Sequence, residues 1–176
     1  DLLRQLESVF PTGEQGVGHA AGAFLNAMVD LSARPTDAAT RQVVLARAQE
    51  VADRFAAAAQ AGFKGVEYLF PYDYDKNALV DVLNKHKLTQ VLHNMPAGNW
   101  AGGERGIACH PRRETEFQDG VDRAIDYATA LGCKQVNCLA GIRPTHLDPN
   151  VARETLIRNL QFAAPRFKEA GIKLLI

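Results

Sequence analysis

Apolar positions keep a helical period through about residue 60, and beyond it short apolar runs alternate with helical stretches. Leu2, Leu3, Leu6, Val9 and Phe10 share one helical face, which Pro11-Thr12-Gly13 interrupts. Glycines at positions 13, 16, 18 and 22 mark a loose connection, and Phe24, Leu25, Met28, Val29 and Leu31 predict a second short amphipathic helix. Arg34-Pro35-Thr36-Asp37 closes it, and Thr36 or Asp37 is placed to cap a third helix. In that third helix Val44, Ala48, Val51, Phe55 and Ala59 recur at helical spacing, and Gly62 stands where a glycine just past a helix end belongs. No strand is predicted before residue 64.

Past Gly62 the pattern changes. Gly65–Phe70 reads as a strand closed by Pro71-Tyr72-Asp73, and Asn77–Lys87 as a helix with Leu79, Val80 and Leu83 on one face. Gln90–Met95 is a second strand ended by Pro96 and Gly98, followed by a long polar loop through Pro111. Thr115–Leu131 carries Phe117, Val121, Ile125 and Ala128 at helical spacing and ends at Gly132. Lys134–Leu139 is a third strand, Asp148–Ala170 a helix that Pro165 should kink, and Ile172–Ile176 a fourth strand. Strand-helix alternation at this spacing predicts an α/β fold with a parallel sheet and crossover helices. No G-x-G-x-x-G follows a strand and no G-x-x-x-x-G-K-[ST] loop is present. The glycines of Ala101–Gly106 do not open a helix directly, so a dinucleotide site is disfavoured.

Composition narrows the function classes. Of 176 residues, 47% are hydrophobic and 23% charged, which argues for a globular chain over a disordered one. Lys+Arg and Asp+Glu balance at 20 each, leaving no net field to gather nucleic acid or an acidic membrane. The eight Phe and one Trp are scattered, without the basic-aromatic strip on which bases stack. Cys109, Cys133 and Cys138 lack C-x-x-C spacing and read as reduced thiols. No run approaches the ~20 apolar residues that span a bilayer, and no signal-peptide pattern opens the sequence, so the expected compartment is the cytoplasm.

Three segments carry a family resemblance: Phe55–Asp75 (FAAAAQAGFKGVEYLFPYDYD), Leu92–Cys109 (LHNMPAGNWAGGERGIAC) and Gln135–Gly141 (QVNCLAG). Residues 54–176 thereby resemble the first half of a hydroxypyruvate isomerase, a family of xylose-isomerase-like (β/α)8 barrels. The resemblance implies a partial TIM barrel supplying the helix after strand one and then strands two to five. The N-terminal part, in Leu6–Gly16 (LESVFPTGEQG), Ala23–Ala27 (AFLNA) and Arg34–Leu45 (RPTDAATRQVVL), resembles a helical stretch of the flagellar hook-associated protein at the hook-filament junction. Two domains are therefore expected, residues 1–53 and 54–176, with the seam inside a helix both families share. The sequence reads as a chimera whose origin, by natural fusion, design or a recombined or misassembled frame, stays open.

The first resemblance implies interconversion of hydroxypyruvate and tartronate semialdehyde, with a carboxylate that takes and returns the proton and a divalent cation, Mg or Mn, that polarises the substrate oxygens. It places the first metal-holding glutamate just after Ile172–Ile176, beyond residue 176. No metal is therefore expected on this chain, and the chain alone is expected to be inactive. The substrate-side rim remains. His93 and Asn94 end a strand, where barrel side chains reach the mouth, and His93 reads either as a substrate contact or as a satisfied core histidine. Asn99, Trp100, Glu104 and Arg105 lie on the following loop. Arg105 suits a carboxylate substrate through its planar fork, or else forms a surface ion pair with Glu104. Asn137 ends the third strand and reads equally as a mouth residue or a structural hydrogen bonder. Glu67, inside a strand, is a weak catalytic candidate on the premise that it is buried and needs a partner. Cys109 with His110 makes a poor metal pair, and His19, His86 and His146 read as surface residues. The expected partner is a small hydroxy-keto acid, with no nucleic acid and no membrane. Open sheet edges predict self-association. The alternative function is an assembly module of the flagellar hook-filament junction.

Overall fold

The computed structural model describes residues 37–176; the helices predicted over 2–10 and 24–31 lie outside them. Helix α1 (Ala38–Gln60) starts where the Asp37 carboxylate accepts the Ala39 N–H at 3.1 Å, satisfying a donor that the first turn leaves open. It ends as the glycine pattern predicts. Ala61 N–H donates to Ala57 O at 2.9 Å, Phe63 N–H to Ala58 O at 3.1 Å, and Gly62 takes a left-handed φ of 90° between them. Strand β1 (Gly65–Glu67) follows.

Helix α2 (Lys76–His86) is nucleated by Asp75, whose carboxylate accepts the N–H groups of Asn77 and Ala78, both at 2.9 Å. Lys85 and His86 in its last turn complement the negative end of the helix dipole. Strand β2 (Thr89–Asn94), helix α3 (Glu114–Ala130), strand β3 (Gln135–Asn137), helix α4 (Pro149–Glu169) and strand β4 (Lys173–Leu175) complete the order. Asp148 caps α4 by accepting Asn150 N–H at 2.7 Å, and Pro149 occupies the first turn, where its missing N–H costs nothing. Pro165, expected to kink α4, lies inside the helix, which continues past it to Glu169.

The chain divides into two compact units. In the first, which takes in the described residues to Tyr68 together with Asp81–Leu88, Phe55 and Ala58 of α1 are buried, and the Phe55 and Tyr68 rings meet edge to face at 5.8 Å. The second comprises Leu69–Val80 and Thr89–Ile176 and holds the parallel ladder β2-β3-β4. His93 pairs with Val136 and Asn94 with Asn137; Val136 in turn pairs with Leu174 and Asn137 with Leu175. Because successive strand residues point to opposite faces, this register defines two rows. His93, Val136 and Leu174 face the helices, and Asn94, Asn137 and Leu175 face away from them.

The helix-facing row meets a dry core. Val136 is fully buried, as are Val121, Ala124 and Ala128 of α3 and Ala163 and Phe167 of α4. These positions recur at helical spacing, which is why the sequence pattern located both helices. Burying Phe167 alone contributes roughly 1.5–3 kcal/mol. The polar side chain of Asn159, 2% exposed, is satisfied by donating to Ala108 O at 2.8 Å, which ties the loop after β2 to α4.

Candidate ligand site at the strand ends

At the C-terminal ends of β2 and β3, Asn137 Nδ2 donates to Asn94 Oδ1 at 2.8 Å. The backbone around the pair is fully engaged. Asn94 N–H donates to Leu69 O at 2.9 Å, Met95 N–H donates to Asn137 O at 2.8 Å, and Asn94 O accepts the Tyr72 hydroxyl at 2.6 Å. Asn94 is 8% exposed, so its amide is held in place while still reaching solvent. Neither Asn94 Nδ2 nor Asn137 Oδ1 has a hydrogen-bond partner among the described residues.

His93 lies on the other face of the same strand. Its ring, 1% exposed, packs edge to face on Tyr72 at 5.7 Å, and Tyr72 meets Tyr127 of α3 at 5.2 Å. The register puts it in the row of Val136, on the core side of the strand. Nδ1 sits 3.1 Å from Asn94 O and 3.2 Å from the Tyr72 hydroxyl, which itself donates to that carbonyl. The Nδ1 proton therefore points at an acceptor, and Nε2 is left buried without a partner. Burial lowers the His93 pKa below its ordinary 6.5, only partly offset by the bond to Asn94 O, so the ring is neutral in the folded protein. Burial likewise raises the Tyr72 hydroxyl above its usual range, so it stays a donor.

A pH effect follows. Below 6.5 the unfolded chain protonates His93 while the folded chain resists, so the unfolded state binds more protons and stability falls with pH. The loss has a slope of at most about 1.4 kcal/mol per pH unit and levels off below the folded pKa. Urea titrations from pH 7.5 to 5 should show this limb, and His93→Gln should flatten it; an unchanged limb in that variant would assign the effect elsewhere.

The loop after β2, from Met95 to Arg113, carries the other candidates. Arg105 was expected either to bind a carboxylate or to pair with Glu104. Glu104 instead takes Arg113, with Oε1 accepting from Arg113 Nη1 at 2.5 Å and Oε2 accepting Asn99 N–H at 2.5 Å. Arg113 also grips Glu116 in the first turn of α3 through two bonds of 2.7 Å. Its hydrogen bonds hold the Glu104 and Glu116 carboxyls below their ordinary value of 4.5. Arg105 is left with no acidic partner among the described residues. Its guanidinium lies 4.0 Å from the Trp100 ring centre and donates to the carbonyls of Trp100 at 3.1 Å and Glu104 at 2.6 Å. Trp100 rests edge to face on Phe70 at 5.0 Å. The side chain is thus pre-set while its remaining N–H groups face solvent.

Tight backbone contacts hold this loop. Cys109 N–H donates to Ala140 O at 2.8 Å and Gly106 N–H to Ala97 O at 3.0 Å. Gly106, at φ 104°, lies so close to Leu139 that a Cβ there would sit 2.1 Å from Leu139 O. The sequence missed two members of this assembly, Tyr72 and Arg113. The available signal for Arg113 was an arginine placed between two glutamates at loop and helix-turn spacing.

The remaining candidates fall elsewhere. Glu67 is the exposed last residue of β1, so the premise of a buried carboxylate does not hold. The three cysteines are free and buried; burial pushes the Cys138 thiol up to about 12, which makes it a poor nucleophile. His110 does not join Cys109 in any cluster, for among the described residues no three His, Cys, Asp or Glu side chains converge to hold a metal ion. The outward row at the strand ends offers amides and Leu175 and no carboxylate, so these residues do not fit a divalent cation by themselves. A concavity lined by Lys134, Lys168, Gly171, Ile172 and Lys173 lies at the opposite ends of β3 and β4, away from the loops that carry chemistry in parallel α/β folds. No described helix is long and apolar enough to cross a membrane.

A parallel α/β array with a polar cluster at its C-terminal strand ends is the architecture of one side of a TIM barrel. Residues 55–176 match the family model "xylose isomerase-like TIM barrel", and the chain belongs to that family. Residues 3–63 match the model of the flagellar hook-associated protein FlgK helical domain, and the two matches overlap over 55–63, at the end of α1. The hydroxypyruvate isomerase of Escherichia coli is 54% identical over 123 residues, covering 70% of this chain and 48% of that enzyme. The 2-oxo-tetronate isomerase of Haemophilus influenzae is 43% identical over 122 residues, covering 69% and 47%. Among solved structures, an AP endonuclease, family 2, from Brucella melitensis is 48% identical, with a TM-score of 0.68 over 70% of this chain and 48% of its own. The chain spans about half the length of the relatives it matches.

Proposed function

We propose that residues 54–176 form the substrate-side part of an isomerase site for a small hydroxy-keto acid, of the hydroxypyruvate to tartronate semialdehyde type. We further propose that the 176-residue chain by itself binds such an acid without turning it over. The carrying observation is Arg105, oriented by Trp100 and without an acidic partner among the described residues, on the loop that leaves the strand end bearing Asn94. The names of the relatives support the substrate class. Aldose-ketose isomerisation moves a proton between adjacent carbons and needs a carboxylate that takes and returns it. A divalent cation, when bound, supplies Lewis-acid polarisation of the substrate oxygens. The described strand ends provide neither a base nor a metal cage; what they provide is orientation and hydrogen bonding.

The test has two parts. Calorimetry with hydroxypyruvate should show binding, and a coupled assay for tartronate semialdehyde with added Mg2+ or Mn2+ should show no turnover above background. Turnover would overturn the inactive reading, and absence of binding would overturn the site itself. A second reading attaches to residues 3–63, whose match to a flagellar helical-domain model supports an assembly role at the hook-filament junction. Co-sedimentation of the chain with isolated bacterial hooks tests it: recovery in the pellet supports assembly, and full recovery in the supernatant retires it.

A further inference from the structure

We infer that the Asn94–Asn137 amide pair is a two-atom reader for an α-hydroxy-ketone, one amide addressing the carbonyl oxygen and its neighbour the hydroxyl on the next carbon. This rests on the proposed isomerase site and deepens it.

The bond inside the pair fixes what remains outside it. Asn137 Nδ2 donates to Asn94 Oδ1 at 2.8 Å, so the pair presents a wholly unused amide nitrogen, Asn94 Nδ2, beside a wholly unused amide oxygen, Asn137 Oδ1, together with the second N–H of Asn137 Nδ2. Exchanging both amides end for end leaves the same pattern, a donor beside an acceptor. A ketone oxygen only accepts, and the neighbouring hydroxyl has a proton to give, so an α-hydroxy-ketone satisfies both positions at once. A carboxylate offers two acceptors and a methyl ketone only one, so each leaves Asn137 Oδ1 without a donor.

The pair is also built to keep still. Asn94 is held through its N–H by Leu69 O and through its C=O by Tyr72 and His93, and Met95 N–H donates to Asn137 O. The Tyr72 hydroxyl and the His93 Nδ1 proton thus act as positioning groups behind the strand, while the amides in front keep free ends. Leu175, next in the same row, is aliphatic and offers the ligand no competing hydrogen bond. A purely structural amide ladder needs no such unused pair of ends at the strand termini.

Hydroxypyruvate and pyruvate differ by the hydroxyl alone, which makes them the probes. With the full 176-residue chain, hydroxypyruvate should bind roughly tenfold more tightly than pyruvate, the share of one hydrogen bond made with a held group. Asn137→Ala should bring the two affinities within about twofold by losing the hydroxyl contact along with its bond to Asn94, and Asn94→Ala should weaken both. In the unmutated chain the side-chain NH2 resonances of both residues should move on adding hydroxypyruvate, a readout that does not depend on a variant folding. Equal binding of the two acids, or resonances that stay still while the Trp100 and Arg105 amides shift, overturns the amide reader and leaves the Arg105 site standing. Binding of neither acid overturns both.

Discussion

Gly106→Ala is expected to destabilise the chain by about 2–6 kcal/mol, a large share of the ~5–15 kcal/mol that holds an ordinary domain folded. Two costs add. The residue sits at φ 104°, where an L side chain is strained by about 1–3 kcal/mol, and its Cβ would lie 2.1 Å from Leu139 O and 2.5 Å from Leu139 C. The obstacle is backbone, which cannot rotate aside as a side-chain tip does, so overpacking of about 1–3 kcal/mol follows. For a chain of this size the melting temperature should fall by about 4–24 °C. Gly103→Ala separates the two costs, because Gly103 shares the positive φ, at 96°, but a Cβ there meets nothing within 4 Å. Equilibrium urea unfolding of both variants makes the comparison. If Gly106→Ala costs no more than Gly103→Ala, the close approach of the two loops is not a feature of the folded chain.

Replacing Arg105 by Met should weaken hydroxypyruvate binding by about 10- to 150-fold, the equivalent of losing charge-assisted hydrogen bonds of roughly 1.5–3 kcal/mol. Arg105→Lys should restore only part of this. An ammonium keeps the charge but neither the two-pronged fork nor the guanidinium's seat over the Trp100 ring. Arg105 is exposed and makes no ion pair among the described residues, so Arg105→Met should leave unfolding within ~0.5 kcal/mol of the parent. Calorimetric titration of the three proteins decides it. Equal affinities would remove the carboxylate contact from Arg105 and return the residue to a surface role.

Element order was legible because the apolar spacing in α1, α3 and α4 is strictly helical, and because Gly62, Asp148 and Pro149 are residues whose backbone and capping chemistry belong at helix ends. Strand lengths were less legible. Apolar runs such as Gly65–Phe70 and Lys134–Leu139 extend past the strands Gly65–Glu67 and Gln135–Asn137, and the bond from the Cys109 loop to Ala140 O lies just beyond the second run. In the site, Asn94 and Asn137 were legible from their place at strand ends. Which of His93 and Asn94 turns away from the helices was not, because neighbouring residues on a strand take opposite faces and only the pairing register chooses between them. The partner of Glu104 was hidden for a similar reason. Adjacency in sequence favoured Arg105, and the turn of the loop delivered Arg113 instead.

Every bond that shapes the rim, from Leu69 through the amide pair to Ala140, is made inside one compact unit. A genetic crossover anywhere along α1 therefore cuts none of them, and this network of strand-end hydrogen bonds is inherited whole.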